Sequence, residues 1–182
     1  MMQKRLLLDS SLLQLTIERL CQQLIENHDD FQNSVLIGLQ PRGIFLAKRI
    51  QKELQKIQPH QIQLGYLDTT FHRDDFRRRE VPKKAYETKI DFLIEGKDVI
   101  LVDDVLFTGR SIRAALDAMI TFGRPKSVEF LVLIDRLNSR DLPIEATYIG
   151  KSVNTLPSQR VEVELKEQGG DDNILLINKE KV

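Results

Sequence analysis

Two adjacent carboxylates, Asp103 and Asp104, follow directly on the apolar run Val99, Ile100, Leu101 and Val102. A short way on, Thr108, Gly109, Arg110 and Ser111 lead into a helical pattern of Ile112, Ala115, Leu116, Met119 and Ile120. The chemistry within reach of this grouping is recognition of a phosphorylated sugar. Gly109 lets backbone approach a ligand closely, Thr108 and Ser111 supply hydroxyl groups, and a helix N-terminus offers unpaired N–H groups at the positive end of its dipole. All three suit a phosphate monoester. The two acids, one short loop away across residues 105–110, are placed to grip sugar hydroxyls. Ribose 5-phosphate satisfies both halves. Taken singly each piece is ordinary, because Thr-Gly is a common loop and paired aspartates usually sit in solvated turns or helix caps. Their order, directly after a buried strand, carries the inference.

That order needs elements to hold it. Residues 99–102 read as a strand buried on both faces, the pattern of a parallel sheet covered by helices. Ligands of such sheets bind beyond the carboxyl ends of the strands. A second strand is expected over residues 34–39, ending in Gln40, Pro41, Arg42 and Gly43 and followed by a helix marked by Ile44, Leu46, Ala47, Ile50, Leu54 and Ile57. This turn then shares the sheet edge with the acids. Gly43 permits close ligand approach, and Arg42 adds a fork suited to phosphate. Residues 61–68 alternate through Ile62, Leu64 and Tyr66 as a third strand. Residues 69–89 lack an apolar period and carry Arg73, Arg77, Arg78, Arg79, Lys83 and Lys84. A loop that long in a compact domain is usually functional. It reads as a basic lid that closes on an anionic ligand and excludes water, with Arg73 the residue that reaches the ligand and His72 a weaker candidate.

The remaining elements frame this centre. Leu6, Leu7 and Leu8 read as an edge strand or docking arm. Ser10 or Ser11 is expected to cap a helix running to about Asn27, with Leu13, Ile17, Leu20, Leu24 and Ile25 as its apolar stripe. His28 reads as a solvated helix end. Gly123, Arg124 and Pro125 end the helix of the central motif. Strands are expected at 128–134, closing in Asp135 and Arg136, at 146–149, ending in Gly150 and Lys151, and at 161–165 and 174–177. The last of these form a small cap over the sheet edge. A base held by that cap would meet residues 149–155, including Ile149 and Lys151, through backbone groups.

Composition sets bounds on function. Lys plus Arg and Asp plus Glu are 27 each in 182 residues, so no whole-molecule field draws the chain to nucleic acid or a membrane. With 41% hydrophobic and 30% charged residues, an ordinary globular core is expected. Cys21 lies in an apolar helical pattern and reads as a small buried residue; with no disulfide framework, a reducing cytoplasm is expected. No apolar run approaches the roughly 18 residues of a membrane span, no signal peptide opens the chain, and no repeat is evident. The expected fold class is α/β: a mostly parallel twisted sheet flanked by helices, with a small cap and a flexible basic loop, in one domain over residues 1–182.

Residues 99–111 resemble the phosphoribosyl-pyrophosphate (PRPP) motif of type I phosphoribosyltransferases. Residues 38–49, 68–75, 98–113, 123–125 and 133–136, the Leu142-Pro143 pair and residues 148–151 extend the resemblance to the PyrR family. Those proteins are bifunctional pyrimidine operon regulators and uracil phosphoribosyltransferases. The resemblance implies that uracil and PRPP give UMP and diphosphate, with Mg²⁺ on the PRPP. It implies that Asp103 and Asp104 hold the ribose hydroxyls directly or through metal-bound water. The Arg42-Gly43 turn would bind diphosphate largely through backbone, and Val105, Leu106, Phe107, Thr108, Gly109, Arg110 and Ser111 would line the rest of the substrate. In 6-oxopurine transferases an Asp that serves the purine N7 stands at the position of Phe107, so Phe107 argues against a purine. Family members that bind a messenger RNA leader hairpin use a basic face of a dimer, where Arg19 and Arg140 match. Glu18, Gln22 and Glu145 depart from that face, and the length differs by one residue near Asn138 and Ser139. The expectation is retained transferase activity with RNA binding weakened or lost, in a homodimer or a dimer of dimers.

Overall fold

In the computed structural model, which describes residues 4–74 and 85–178, the elements in chain order are β1 (Lys4–Leu8), α1 (Ser10–His28), β2 (Ser34–Leu39), α2 (Gly43–Gln55), β3 (Leu64–Leu67), β4 (Asp98–Leu106), α3 (Arg110–Met119), β5 (Ser127–Leu137), β6 (Tyr148–Asn154), β7 (Gln159–Glu164) and β8 (Asn173–Asn178). Strands β2 to β6 pair in parallel in the order β3-β2-β4-β5-β6. Their alternating residues fill two cores. Leu36, Ile100 and Val102 pack with α1 and α2 on one face, while Val35, Ile37, Val99 and Leu101 pack with α3 on the other. That two-sided burial is what the unbroken apolar run 99–102 foretold.

The expected cap is present and takes in the N-terminal strand. β1 pairs antiparallel with β8, and β8 with β7, as a separate three-stranded sheet. Its inner residues Val163, Leu165, Ile174 and Leu176 join the core shared by α1 and α2. Arg49 of α2 ties it down, donating to Glu167 at 2.8 Å through Nε and to Asp172 at 2.6 Å through Nη2.

Four local expectations need correction. Asp9, not a serine, caps α1: its Oδ1 accepts the Leu12 N–H at 2.8 Å. β4 does not stop before the acids but continues through them to Leu106, because β5 keeps pairing with it as far as Asp135. β6 starts at Tyr148 and runs on through Gly150 and Lys151, again because β5 supplies a parallel partner. His28 is not solvated. Its side chain is 4% exposed and lies 2.9 Å from both Ser34 Oγ and Glu129 Oε2. Those partners come from β2 and β5, which spacing along α1 cannot reveal. Cys21 is buried as expected, and burial pushes its thiol up to about 12, so it stays protonated and packs as a small apolar group. Among the described residues no helix is long and apolar enough to cross a membrane.

Candidate active site

The chain leaves β2 through α2 to β3 on one side, then returns to place β4 on the other. Such a reversal opens a crevice at the carboxyl ends of the two strands. α2 starts directly after β2 and α3 directly after β4, so both helix N-termini face it. Helix starts carry N–H groups without intrahelical partners. α1 satisfies one of them with Asp9, whereas α2 and α3 have no side-chain cap. Arg42 precedes α2, and Gly109, at φ 89°, precedes α3 in a left-handed conformation that favours glycine. The start of α2 also lies tight against β4. A Cβ on Gly43 would sit 2.3 Å from the Val102 carbonyl oxygen and 2.9 Å from Asp103 Cα.

Consecutive strand residues ordinarily point to opposite faces. Here Val105 packs with the core of Val102, and Leu106 with the core of Leu101, so the alternation slips by one across Asp103 and Asp104. Both acids therefore line one cavity of about 370 Å³, with Arg42, Thr69, Thr70, Arg73, Tyr86 and Ser111 among its walls. Asp103 Oδ1 accepts the Asp104 N–H at 2.9 Å. Arg42 Nε stands 3.9 Å from the Asp104 carboxylate, and Arg73 donates to Ser111 Oγ at 2.9 Å. Burial and the neighbouring Asp104 charge hold the Asp103 carboxyl well above the ordinary carboxylate range, against the pull of Arg73. Burial also raises Asp104, with Arg42 opposing it. Crowding two carboxyls in this way makes the pair receptive to positive charge. Among the described residues no group of three or more His, Cys, Asp or Glu side chains could enclose a metal ion. Two adjacent acids are the residue type that would hold a divalent cation presented together with an anionic substrate.

A smaller lobe of about 100 Å³ shares Arg73, Asp103, Val105 and Ser111 with this cavity and adds Leu106, Phe107, Thr108, Gly109, Ile112 and Phe130. The sequence-derived set thus converges: Arg42, Arg73, Asp103 and Asp104 in the larger space, and the 105–111 loop in the smaller. Gly43 contributes by its packing on β4. Arg110 turns its guanidinium outward to Asp74 and Asp141, so only its backbone belongs to the cradle. Ile149 and Lys151 do not line either lobe. Ile149 borders a separate groove with Asp135 and Arg140, and Lys151 Nζ donates to the Leu7 carbonyl at 3.0 Å. Arg19 donates to the Ile149 carbonyl at 3.2 Å and also to that of Gly150. Arg140 donates to the carbonyls of Phe107 at 2.6 Å and Ile144 at 3.1 Å, and pairs with Asp135. Of the basic lid, Asp75, Arg77, Arg78, Arg79, Lys83 and Lys84 lie outside the described residues.

Sequence reasoning assigned no role to Thr69, Thr70 or Tyr86. Asp68 organises two of them: one carboxylate oxygen accepts from Thr70 Oγ1 at 2.7 Å, the other from the Tyr86 N–H at 3.1 Å. The available signal was the polar Asp-Thr-Thr directly after a strand end, where this architecture places its ligand.

A family model for the phosphoribosyl transferase domain matches residues 6–168. The chain is 44% identical over 177 residues to the bifunctional protein PyrR of Lactococcus lactis subsp. cremoris, covering 96% of this chain and 98% of that protein. It is 39% identical over 175 residues to the bifunctional protein pyrR of Enterococcus faecalis, covering 96% and 97%. Among solved structures, the hypoxanthine phosphoribosyltransferase of Trypanosoma cruzi superimposes with a TM-score of 0.74 at 14% identity over 97% of each chain, a likeness of fold alone. With a two-acid strand end, two uncapped helices around it and these relatives along nearly its whole length, the chain belongs to the phosphoribosyl transferase domain family and, within it, to the PyrR proteins.

Proposed function

We propose that this chain transfers the 5-phosphoribosyl group of PRPP to uracil, forming UMP and releasing diphosphate. One observation carries the reading: two uncapped helix N-termini open on a cavity whose floor is a pair of carboxylates. PRPP has the matching pattern, a phosphate and a diphosphate separated by a ribose with two free hydroxyls. The α3 end, with Thr108, Gly109 and Ser111, takes the 5-phosphate. The α2 end, with Arg42, takes the diphosphate, while Asp103 and Asp104 hold the ribose hydroxyls and fix the direction of attack. Bound with PRPP against the two acids, Mg²⁺ would neutralise charge on the departing diphosphate. The bond from ribose C1 to the diphosphate oxygen breaks as the bond from C1 to uracil N1 forms, and the uracil N1 proton is lost. Positive charge grows at C1 in the interval, and the buried acids stabilise it. Arg73, already at Ser111, supplies positive charge to the phosphate side of the cavity. Cys21, buried on α1, takes no part.

Phe107 supports a pyrimidine as the base, since it presents an apolar ring where a purine N7 would want a proton partner. The chain acts in the cytoplasm as a homodimer or a pair of dimers. Relatives bear the names bifunctional protein PyrR and, for one of L. lactis, pyrimidine operon regulatory protein. For this chain we rank RNA binding second. Arg19 and Arg140, the cations that a messenger leader hairpin would meet, already serve internal carbonyls and, for Arg140, Asp135. Phosphate affinity is set by cations free to replace counterions.

The test is a panel of bases, uracil, hypoxanthine and guanine, offered to purified protein with PRPP and Mg²⁺. UMP formed from uracil, with the purines unused, is the expected result; no turnover of uracil overturns the proposal. A second arm titrates labelled pyrimidine-leader RNA at low salt with UMP present, and tight, steeply salt-dependent binding would overturn the ranking.

A further inference from the structure

Arg136, at the end of β5, is 6% exposed, yet among the described residues no carboxylate lies within ion-pair distance of it. Its neighbour Asp135 is committed to Arg140. A buried cation without a counter-ion is unfavourable, and two hydrogen bonds, from Nε to Thr155 Oγ1 at 3.1 Å and from Nη2 to the Gln159 carbonyl at 3.0 Å, offset only part of that cost. What the guanidinium does touch is Phe107: its carbon stands 3.9 Å from the centroid of the ring. Phe107 is 43% exposed and lines the smaller lobe beside Asp103 and Thr108. An exposed aromatic side chain on a loop would ordinarily sample several rotamers. Here one face of the ring is held by a cation that is itself fixed by two bonds.

We propose that Arg136 is a positioning residue for base selection, holding the Phe107 ring so that its open face seats a flat pyrimidine. The proposal deepens the transferase reading and rests on it. A planar cation on one face draws the π electrons toward itself. The far face then meets the electron-poor ring of a pyrimidinedione with less repulsion between the stacked clouds. Arg136 never touches the reacting atoms. Its effect passes through Phe107 and falls on the base, not on PRPP.

The experiment is steady-state kinetics of Arg136→Met, Phe107→Leu and the double variant. Arg136→Met keeps most of the apolar stem and removes the charged head together with its two hydrogen bonds. The KM for uracil is expected to rise about tenfold, as for a partly desolvated cation–π contact, with the KM for PRPP unchanged. Its Tm is expected not to fall, because the lost charge had no counter-ion. Phe107→Leu alone raises the uracil KM, and adding Arg136→Met to it produces no further rise. Equal losses for PRPP and uracil, or additive losses in the double variant, would overturn the inference. If Arg136→Met fails to fold, Arg136→Gln decides: it keeps a planar hydrogen-bonding head without the charge, and a wild-type uracil KM in that variant would overturn the proposal. Wild-type protein that ignores uracil would sink this inference together with the transferase reading. Wild-type turnover with an unaltered Arg136→Met variant would sink this inference alone.

Discussion

An alanine at position 43 tests the architecture of the site most directly. The new methyl would stand 2.3 Å from the Val102 carbonyl oxygen, 2.9 Å from Asp103 Cα and 3.1 Å from Asp103 Oδ1. A relaxed carbon–oxygen contact is about 3.3 Å, so α2 and the end of β4 must part by about 1 Å. Two of the three atoms met are backbone, and the third belongs to the acid the site depends on, so no flexible side-chain tip can yield. Overpacking of this kind costs about 3 kcal/mol at the upper end of its usual range. The gain in helix propensity returns at most about 1 kcal/mol. The remaining 2 kcal/mol or so should lower Tm by about 4–8 °C in a chain of this size. Activity should fall further than stability, because a 1 Å misplacement of positioning groups costs about 100-fold. Calorimetry gives the first number, and kcat/KM measured well below the lowered Tm gives the second. A Gly43→Ala protein with wild-type Tm and rate would refute the close packing of α2 on β4 and the positioning argument built on it.

Two further outcomes follow from the charges. Asp103→Asn should cost at least about 100-fold in turnover, as loss of an electrostatic partner in a desolvated site does, yet it should make the fold more stable at neutral pH. Burial and Asp104 raise the folded-state pKa of Asp103 above its unfolded value, so wild-type stability declines as pH rises through that folded value. Asparagine keeps the acceptor for the Asp104 N–H and removes the decline. Tm curves for the two proteins should meet in acid and separate toward neutral pH; an asparagine variant less stable at neutral pH would contradict this. The cap behaves in the opposite sense. The Arg49 hydrogen bond holds Glu167 below its ordinary value against the effect of burial; at Asp172 burial pushes upward but is outweighed by Arg49 and the Lys166 N–H. That stability is present above the unfolded carboxylate pKa and is lost as pH falls through the depressed folded values. Arg49→Ala should cost about 2 kcal/mol near neutrality, as for charge-assisted hydrogen bonds, and should flatten the acid limb of the Tm profile. An acid limb unchanged by the substitution would rule the tether out.

The sequence by itself determined whatever is local in the chain. Val99 to Val102, the two acids, Thr108 to Ser111 and the helix after them stand side by side in the sequence, so strand, floor, cradle and helix could be read in order and the ligand class inferred. The same holds for the turn at Arg42 and Gly43, and the resemblance to PyrR proteins rests on these contiguous blocks. Only the tertiary structure decided what depends on partners far apart in the chain. β4 and β6 run past their expected ends because β5 lies beside them. His28 is buried because β2 and β5 bring Ser34 and Glu129 to it. Arg19 and Arg140, legible only as basic residues, turn out to serve carbonyls of their own fold, whereas Arg136 meets Phe107 without any local pattern to announce it. The physical reason is one of range. Periodicity and capping act within a turn or two of chain, while burial, register and charge pairing are set by whichever segment the fold brings alongside.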